Sequence, residues 1–277
     1  METQNHSKGW NDIIRDWMSW LRAGGITAEG QKLRQYQLTR IAQELKHLDP
    51  MTVTSDNLAD WMSPHDWSRE TLRSYRSALR SFYGWAHASG RMDSDPARLL
   101  RKIPVPYAHP RPAAEIAIEQ AIGKADARVY LMIMLGSRHG LRRAEISRVQ
   151  TSDLLRDSSG WSLLVHGKGG KERAIPLLDE MAAAIREQPA GWVFPNGSGS
   201  HLTPAHIGVL LRRCLPQGTT PHQLRHRFAS KAYQATHDIR AVQELLGHAS
   251  VATTQRYTAT APDALRNAVR AASPTSF

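Results

Sequence analysis

The residues of this 277-residue chain best placed for chemistry lie between Thr219 and Tyr257. His222 and Arg225 stand three apart in His-Gln-Leu-Arg, so on a helix both project from one face. Pro221 suits the first helical position and Thr219 or Thr220 the cap. The free backbone N–H groups of such a start, beside an arginine and a histidine, would hold an anion. Further on, Leu245-Leu246-Gly247-His248 carries the glycine that a helix C-terminus takes in the left-handed conformation. His248 would then stand at a fixed place, at the mouth of a helix end. Tyr257 follows nine residues later, after a short polar helix over 250–256, where a tyrosine has little core to pack into. Each piece also has an ordinary reading. A His-x-x-Arg pair is commonly a surface pair, and a lone tyrosine commonly packs.

Two further constellations lie upstream. His139-Gly140-Leu141-Arg142-Arg143-Ala144-Glu145-Ile146 puts Arg142 and Glu145 at a spacing that also suits a simple helical salt bridge. Gly167-Lys168-Gly169-Gly170-Lys171-Glu172-Arg173 reads as a glycine turn between two strands, with Lys168 at its tip. A phosphate-cradling P-loop requires Gly-x4-Gly-Lys-Ser/Thr, which is absent, so the hairpin reads better as a mobile lysine-bearing arm. Taken in order, Gly-Leu-Arg-x-x-Glu, Gly-Lys-Gly-x-Lys-x-Arg, His-x-Leu-Arg-His and Leu-Gly-His with a following tyrosine resemble the tyrosine recombinases, the phage integrase and Xer-type family. The resemblance covers about 113–258, and the region before it matches only in type. Arg143 has no counterpart in the pattern.

What the resemblance implies can be put in terms of charge. A phosphodiester is already anionic, and attack places more charge on its nonbridging oxygens, where preorganised donors lower the barrier. Arg142 and Arg225 would offer forked donors there, and His248 one more hydrogen bond. Tyr257 would be the nucleophile. Its phenol, with a reference pKa of about 10, needs a base or a cationic pocket, and His222 is the base candidate. Lys168 would protonate the leaving deoxyribose oxygen, and Glu145 would hold the pocket together. The product would be a 3′-phosphotyrosine and a free 5′-hydroxyl, and attack by a hydroxyl of another strand would complete the exchange through a Holliday junction. No ATP, metal or other cofactor is expected. The partners expected are double-stranded DNA at attachment or core sites, a homo-tetramer formed on DNA from free monomers, and a directionality factor. The biological role expected first is integration and excision of a phage or mobile element, with Xer-like dimer resolution as the alternative.

Other classes leave their own marks. A metal-dependent nuclease could use His222 and His226, four apart on a helix, but no glutamate lies between them and no nearby carboxylate completes a site. A DNA-binding module that no longer cuts would not need all six reactive positions. A relaxing type IB topoisomerase uses the same chemistry without a partner.

Composition agrees with a polyanionic partner. Lys and Arg number 36 against 25 Asp and Glu, a net charge of +11 and a pI near 10.1. No apolar run has the roughly 18–20 residues of a membrane span, and 1–8 lacks a signal-peptide apolar core. A cytoplasmic protein with no membrane partner is therefore expected. The single cysteine, Cys214, excludes an internal disulfide and a cysteine-cluster zinc site.

The elements that must position these residues divide into two groups. After a flexible tip at 1–8, helices are expected over 9–23, 28–47, 54–62 and 68–89; the resemblance implies that this unit, 9–102, is a helical core-site DNA-binding (SAM-like) domain. The inward stripes are Ile13, Ile14, Trp17, Trp20 and Leu21, then Leu33, Tyr36, Ile41 and Leu45, then Leu72, Tyr75, Leu79, Phe82 and Ala86. Arg69, Arg73, Arg76 and Arg80 form one line on the fourth helix and, with Lys171 and Arg173, are the expected DNA contacts. Four prolines in 103–112 make a semi-stiff strap. The catalytic domain, 113–277, is expected to be mainly α with a small antiparallel β-sheet. Its helices fall at 113–125, 127–137, 178–188 and 203–215, its hairpin at 161–166 and 172–177, and a tail helix at 261–272. With core-binding helices beginning near residue 9, no arm-binding domain is expected before them, so one type of DNA site should suffice.

Overall fold

The computed structural model describes residues 9–104 and 111–247. Two compact units divide between Tyr107 and Ala108.

The first unit is helical. α1 (Trp10–Ala23), α2 (Ala28–Glu44), α3 (Ser55–Met62) and α4 (Arg69–Ala88) are followed by a 3-10 turn, Pro96–Leu99. Hydroxyls start three of these helices: Thr27, Thr54 and Ser68 each accept a backbone N–H from the first turn. The core gathers Ile13, Trp17, Leu38, Ile41, Leu58, Leu79, Phe82 and Tyr83. Three inward assignments need correction. Trp20 is 51% exposed, Leu33 49% and Tyr36 61%. Helix α2 instead buries Gln37, Leu38, Ile41 and Ala42, a stripe that puts Leu33 and Tyr36 on the far side. Polar Gln37 is accommodated because its amide donates to the Ser74 hydroxyl of α4 at 2.8 Å.

The second unit is mainly α with one small sheet. α5 (Glu115–Lys124), α6 (Ala127–Ser137) and the short α7 (Arg143–Ser147) lead into β1 (Leu154–Asp157), β2 (Gly160–His166) and β3 (Glu172–Leu177). Then follow α8 (Asp179–Arg186), α9 (Pro204–Cys214), α10 (Pro221–Thr236) and α11 (Ile239–Leu246). The sheet is antiparallel in the order β1-β2-β3, so the expected hairpin gains a third strand. That strand is four residues long with three of them exposed, too short and too open for alternation to reveal it. Helix α6 is apolar nearly all round, burying Val129 and every residue from Leu131 to Ser137, and α7, α8, α9 and α10 pack on it. Among the described residues, no helix is long and apolar enough to cross a membrane.

Candidate active site

Glu145 organises the site. It lies in α7, is 4% exposed, and receives three guanidinium groups from three separate elements. Arg142, the residue that caps α7, donates its Nη1 to Oε1 at 2.7 Å and its backbone N–H to Oε2 at 2.8 Å. Arg173 on β3 donates Nη1 to Oε1 at 3.0 Å and Nη2 to Oε2 at 3.1 Å. Arg225 on α10 approaches Oε2 with Nη1 at 3.5 Å. Burial alone would push the Glu145 carboxyl up. The hydrogen bonds from Arg173 and from the Arg142 backbone, with the charges of Arg173 and Arg225, bring it down to about 2. One buried carboxylate thus meets three cations, and the centre keeps an excess of positive charge.

The same arginines grip the end of α11. Arg225 donates Nη2 to the Leu246 carbonyl at 2.6 Å, Arg142 reaches that carbonyl at 3.3 Å, and Arg173 donates Nε to the Leu245 carbonyl at 2.8 Å. These are the orphan carbonyls of a helix C-terminus, where cations are favoured. Gly247 closes the helix at φ 61°, the left-handed conformation expected of it. The second bond of Arg225 goes to the Gly140 carbonyl. Gly140 has φ 70°, and a Cβ there would collide with the Phe228 ring, so glycine is required on both counts.

Helix α10 starts as its sequence asks, with Pro221 in the first turn and Thr220 and Gln223 forming a capping box. His222 is on the surface beside this centre, with its ring 4.3 Å from that of His226, edge to face. Desolvation by its surroundings, then the charges of Arg225, Arg142 and Arg143, hold His222 below the ordinary histidine pKa. A neutral imidazole beside a cationic centre is able to accept a proton. Among the described residues, no three His, Cys, Asp or Glu side chains gather as a metal site.

The lysine arm is a tight turn, Lys168–Gly170, between β2 and β3, with Gly169 at φ 75° and Gly170 at φ 72°. The Gly167 N–H donates to the Lys171 carbonyl at 2.7 Å and closes the loop. At its base His166 lies between two carboxylates, with Nε2 2.9 Å from Asp153 and Nδ1 2.9 Å from Glu172. The Asp153 hydrogen bond raises the His166 pKa; burial opposes it, and the Asp153 charge and Glu172 add to it. His166 is a residue that the sequence reading missed. Its position two before Lys168 was the available signal.

The structure thus brings Arg142, Glu145, Arg225 and His222 to one place, with Lys168 at the tip of the neighbouring hairpin. His248, Tyr257, the 250–256 helix and the 261–272 tail lie outside the described residues. Arg173 is turned inward onto Glu145 with only 13% of its side chain exposed, so it belongs to the centre and not to an outward DNA-facing surface. Lys171 is exposed. In the other unit Arg69 is exposed, and Arg73 pairs with Glu70 at 3.1 Å. Arg76 donates twice to the Leu100 carbonyl, at 3.1 and 2.9 Å, and Arg80 donates to the Arg98 carbonyl at 3.2 Å. Part of the expected arginine line therefore ties the end of its own unit to α4.

A helical unit with a small sheet and an arginine-clamped glutamate is what the family pattern requires, and residues 114–263 match the phage integrase family model. The chain belongs to this family: it is a tyrosine recombinase, a site-specific DNA recombinase. Tyrosine recombinase XerD of Caulobacter vibrioides is 33% identical across 98% of this chain and 98% of that protein. Tyrosine recombinase XerC of Xanthomonas axonopodis pv. citri is 33% identical across 69% of this chain and 68% of that protein. Among solved structures, XerH recombinase bound to a palindromic difH substrate superposes with TM-score 0.69 and 22% identity, covering 87% of this chain and 79% of that one. A lambda integrase dimer bound to a core site superposes with TM-score 0.72 and 18% identity, covering 89% and 76%. At these identities the two structures speak for the fold alone.

Proposed function

We propose that this chain is a Xer-type recombinase that cuts and rejoins double-stranded DNA at a specific site through a 3′-phosphotyrosine on Tyr257. The observation that carries the reading is the Glu145 centre. Arg142 and Arg225 are held on one carboxylate, with His222 beside them and charge to spare for a phosphodiester. Arg142, with 41% of its side chain exposed, offers its fork to nonbridging oxygens whose charge grows as the phenol attacks, and Arg225, almost fully buried with its donors on the Gly140 and Leu246 carbonyls, adds its charge. His222, held neutral, takes the phenolic proton. Lys168, on the hairpin, gives a proton to the leaving 5′ oxygen, and His248 adds a donor to the phosphate. Glu145 and Arg173 position the other two arginines and do not react. Strand exchange through a Holliday junction needs two duplexes and four cleaved ends, which calls for a tetramer on DNA.

The expectation of phage or mobile-element integration gives way to the Xer alternative. Similarity to XerD runs along nearly the whole chain, and XerC proteins match about two thirds of it. Resolution of joined circles into separate ones is therefore the role proposed.

The test is a covalent trap. The full chain is incubated with nicked duplexes carrying candidate sites, so that cleavage releases a short strand and cannot reverse. Protein linked to the 3′ end is expected on denaturing gels, and Tyr257→Phe should bind DNA yet form none. An adduct persisting in Tyr257→Phe would refute the assignment, and relaxation of supercoiled DNA of any sequence would favour a topoisomerase.

A further inference from the structure

Arg143 is the cation the family pattern does not account for. It is the first residue of α7, directly after Arg142, and it is exposed. Among the described residues it has no hydrogen-bonded or ion-paired carboxylate. Its side chain lies across α9 at Gly208. A Cβ on that glycine would stand 2.6 Å from Arg143 Nη1 and 3.3 Å from its Cδ. Gly208 is buried at the fifth position of an eleven-residue helix, with ordinary helical φ. Glycine there lowers helix propensity against alanine, and backbone conformation does not require it. What it provides is room for a guanidinium to lie flat on the helix. An uncompensated charge is thus placed beside a centre where three arginines already outnumber one carboxylate. Like charges repel, so the arrangement has a favourable partner only when an anion arrives.

We infer that Arg143 is a phosphate-holding residue of the substrate site, seated by the missing side chain of Gly208 and gripping a backbone phosphate next to the scissile one. The inference rests on the recombinase reading for its ligand, a DNA strand. Arg142 and Arg225 are committed to Glu145 and to the end of α11, which fixes their donors in space. Arg143 is free of such ties to the described residues and can follow the neighbouring phosphate. It is a contact for binding and register, and it takes no part in proton transfer.

The experiment measures affinity of the full chain for a mixed-sequence duplex over a range of salt, by fluorescence anisotropy. Wild type, Arg143→Gln, Arg143→Lys, Gly208→Ala and the Gly208→Ala, Arg143→Gln double variant are compared. Loss of one phosphate contact should lower the slope of log affinity against log salt by about 0.9, so each tenfold rise in salt costs about eightfold less affinity than in wild type. Arg143→Lys should keep most of the slope. Gly208→Ala, whose nearest neighbours are Nη1, Cδ and Cζ of the flexible Arg143 side chain, should keep wild-type helix content by circular dichroism. It should weaken binding when Arg143 is present and have no further effect in the Arg143→Gln background. An unchanged slope in Arg143→Gln would overturn the inference. Equal losses from Gly208→Ala in both backgrounds would overturn the role of Gly208 as a seat. The covalent trap run on wild type separates the two levels. An adduct with an unchanged Arg143→Gln slope sinks this inference alone, and absence of any adduct sinks the recombinase reading beneath it.

Discussion

Replacing Glu145 by glutamine keeps the shape of the side chain, removes the charge that three arginines share, and turns one of the two acceptor oxygens into an NH2 donor. The Glu145 carboxyl falls from an ordinary 4.5 to about 2 in the folded chain. At about 1.4 kcal/mol for each pH unit, that fall corresponds to roughly 3 kcal/mol of folding free energy at neutral pH. Measured losses for removing one partner of a buried ion pair, about 3–5 kcal/mol, agree in size. The arginines stay charged throughout, so the titration of Glu145 sets the pH dependence of the difference between wild type and Glu145→Gln. A depressed carboxylate stabilises above its unfolded value, and that stabilisation fades as pH falls from 4.5 toward 2. The wild type should therefore exceed Glu145→Gln by about 3 kcal/mol at pH 7, by about half that near pH 3, and by little near pH 2. Hydrogen exchange at the buried amides of α6 and α10, with urea unfolding of the same unit, gives the difference at each pH. A gap below about 1 kcal/mol at pH 7, or one that does not shrink with acid, would refute the reasoning.

Other perturbations address separate parts of the molecule. Lys168→Ala should cut ordinary DNA very slowly and recover on a substrate with sulfur at the 5′ bridging position, whose leaving group needs no proton; failure of that rescue would give Lys168 another role. His166, its pKa raised by Asp153 and Glu172, should brace the hairpin below the ordinary histidine range and release it as pH climbs through the raised value. Exchange of the β2 and β3 amides, corrected for intrinsic rate, should then rise with pH in wild type and stay flat in His166→Gln. Arg76→Ala should destabilise the first unit by about 1–2 kcal/mol through its two lost bonds to Leu100, whereas Arg69→Ala should change only the salt slope of DNA binding. Cutting the chain after Thr260 should spare adduct formation and abolish stable pairing of two sites; unchanged recombination would show that the tail is no tether.

What could be read beforehand follows from how local each signal is. Caps and stops are local: Thr54, Ser68, Thr220 and Gly247 announce helix ends through groups within four residues of themselves. The Arg142 and Glu145 pairing is local too, being one turn of one helix. The place of Arg173 is not. It meets Glu145 across 28 residues and Leu245 across 72, and only tertiary packing turns it inward from an exposed-looking turn. Trp20, Leu33 and Tyr36 misled for a related reason, since apolar type alone does not say which stripe the neighbouring helix covers. Gly208 gives no sign by itself, because its meaning lies in a side chain 65 positions earlier.

The grip on the end of α11 also fixes a distance. Leu245 and Leu246 are pinned to the arginines gathered on Glu145, so the chain sets out toward Tyr257 from a point that belongs to the proposed reaction centre. Tyr257 stands ten residues past Gly247. Ten residues fully extended reach at most roughly 35 Å. The pinned carbonyls are the stake of a leash, and its length draws a sphere inside which, on the role proposed for Tyr257, the phenol meets its phosphate. Adding residues between 249 and 256 would enlarge that sphere without loosening the stake, trading a crowded search for a dilute one.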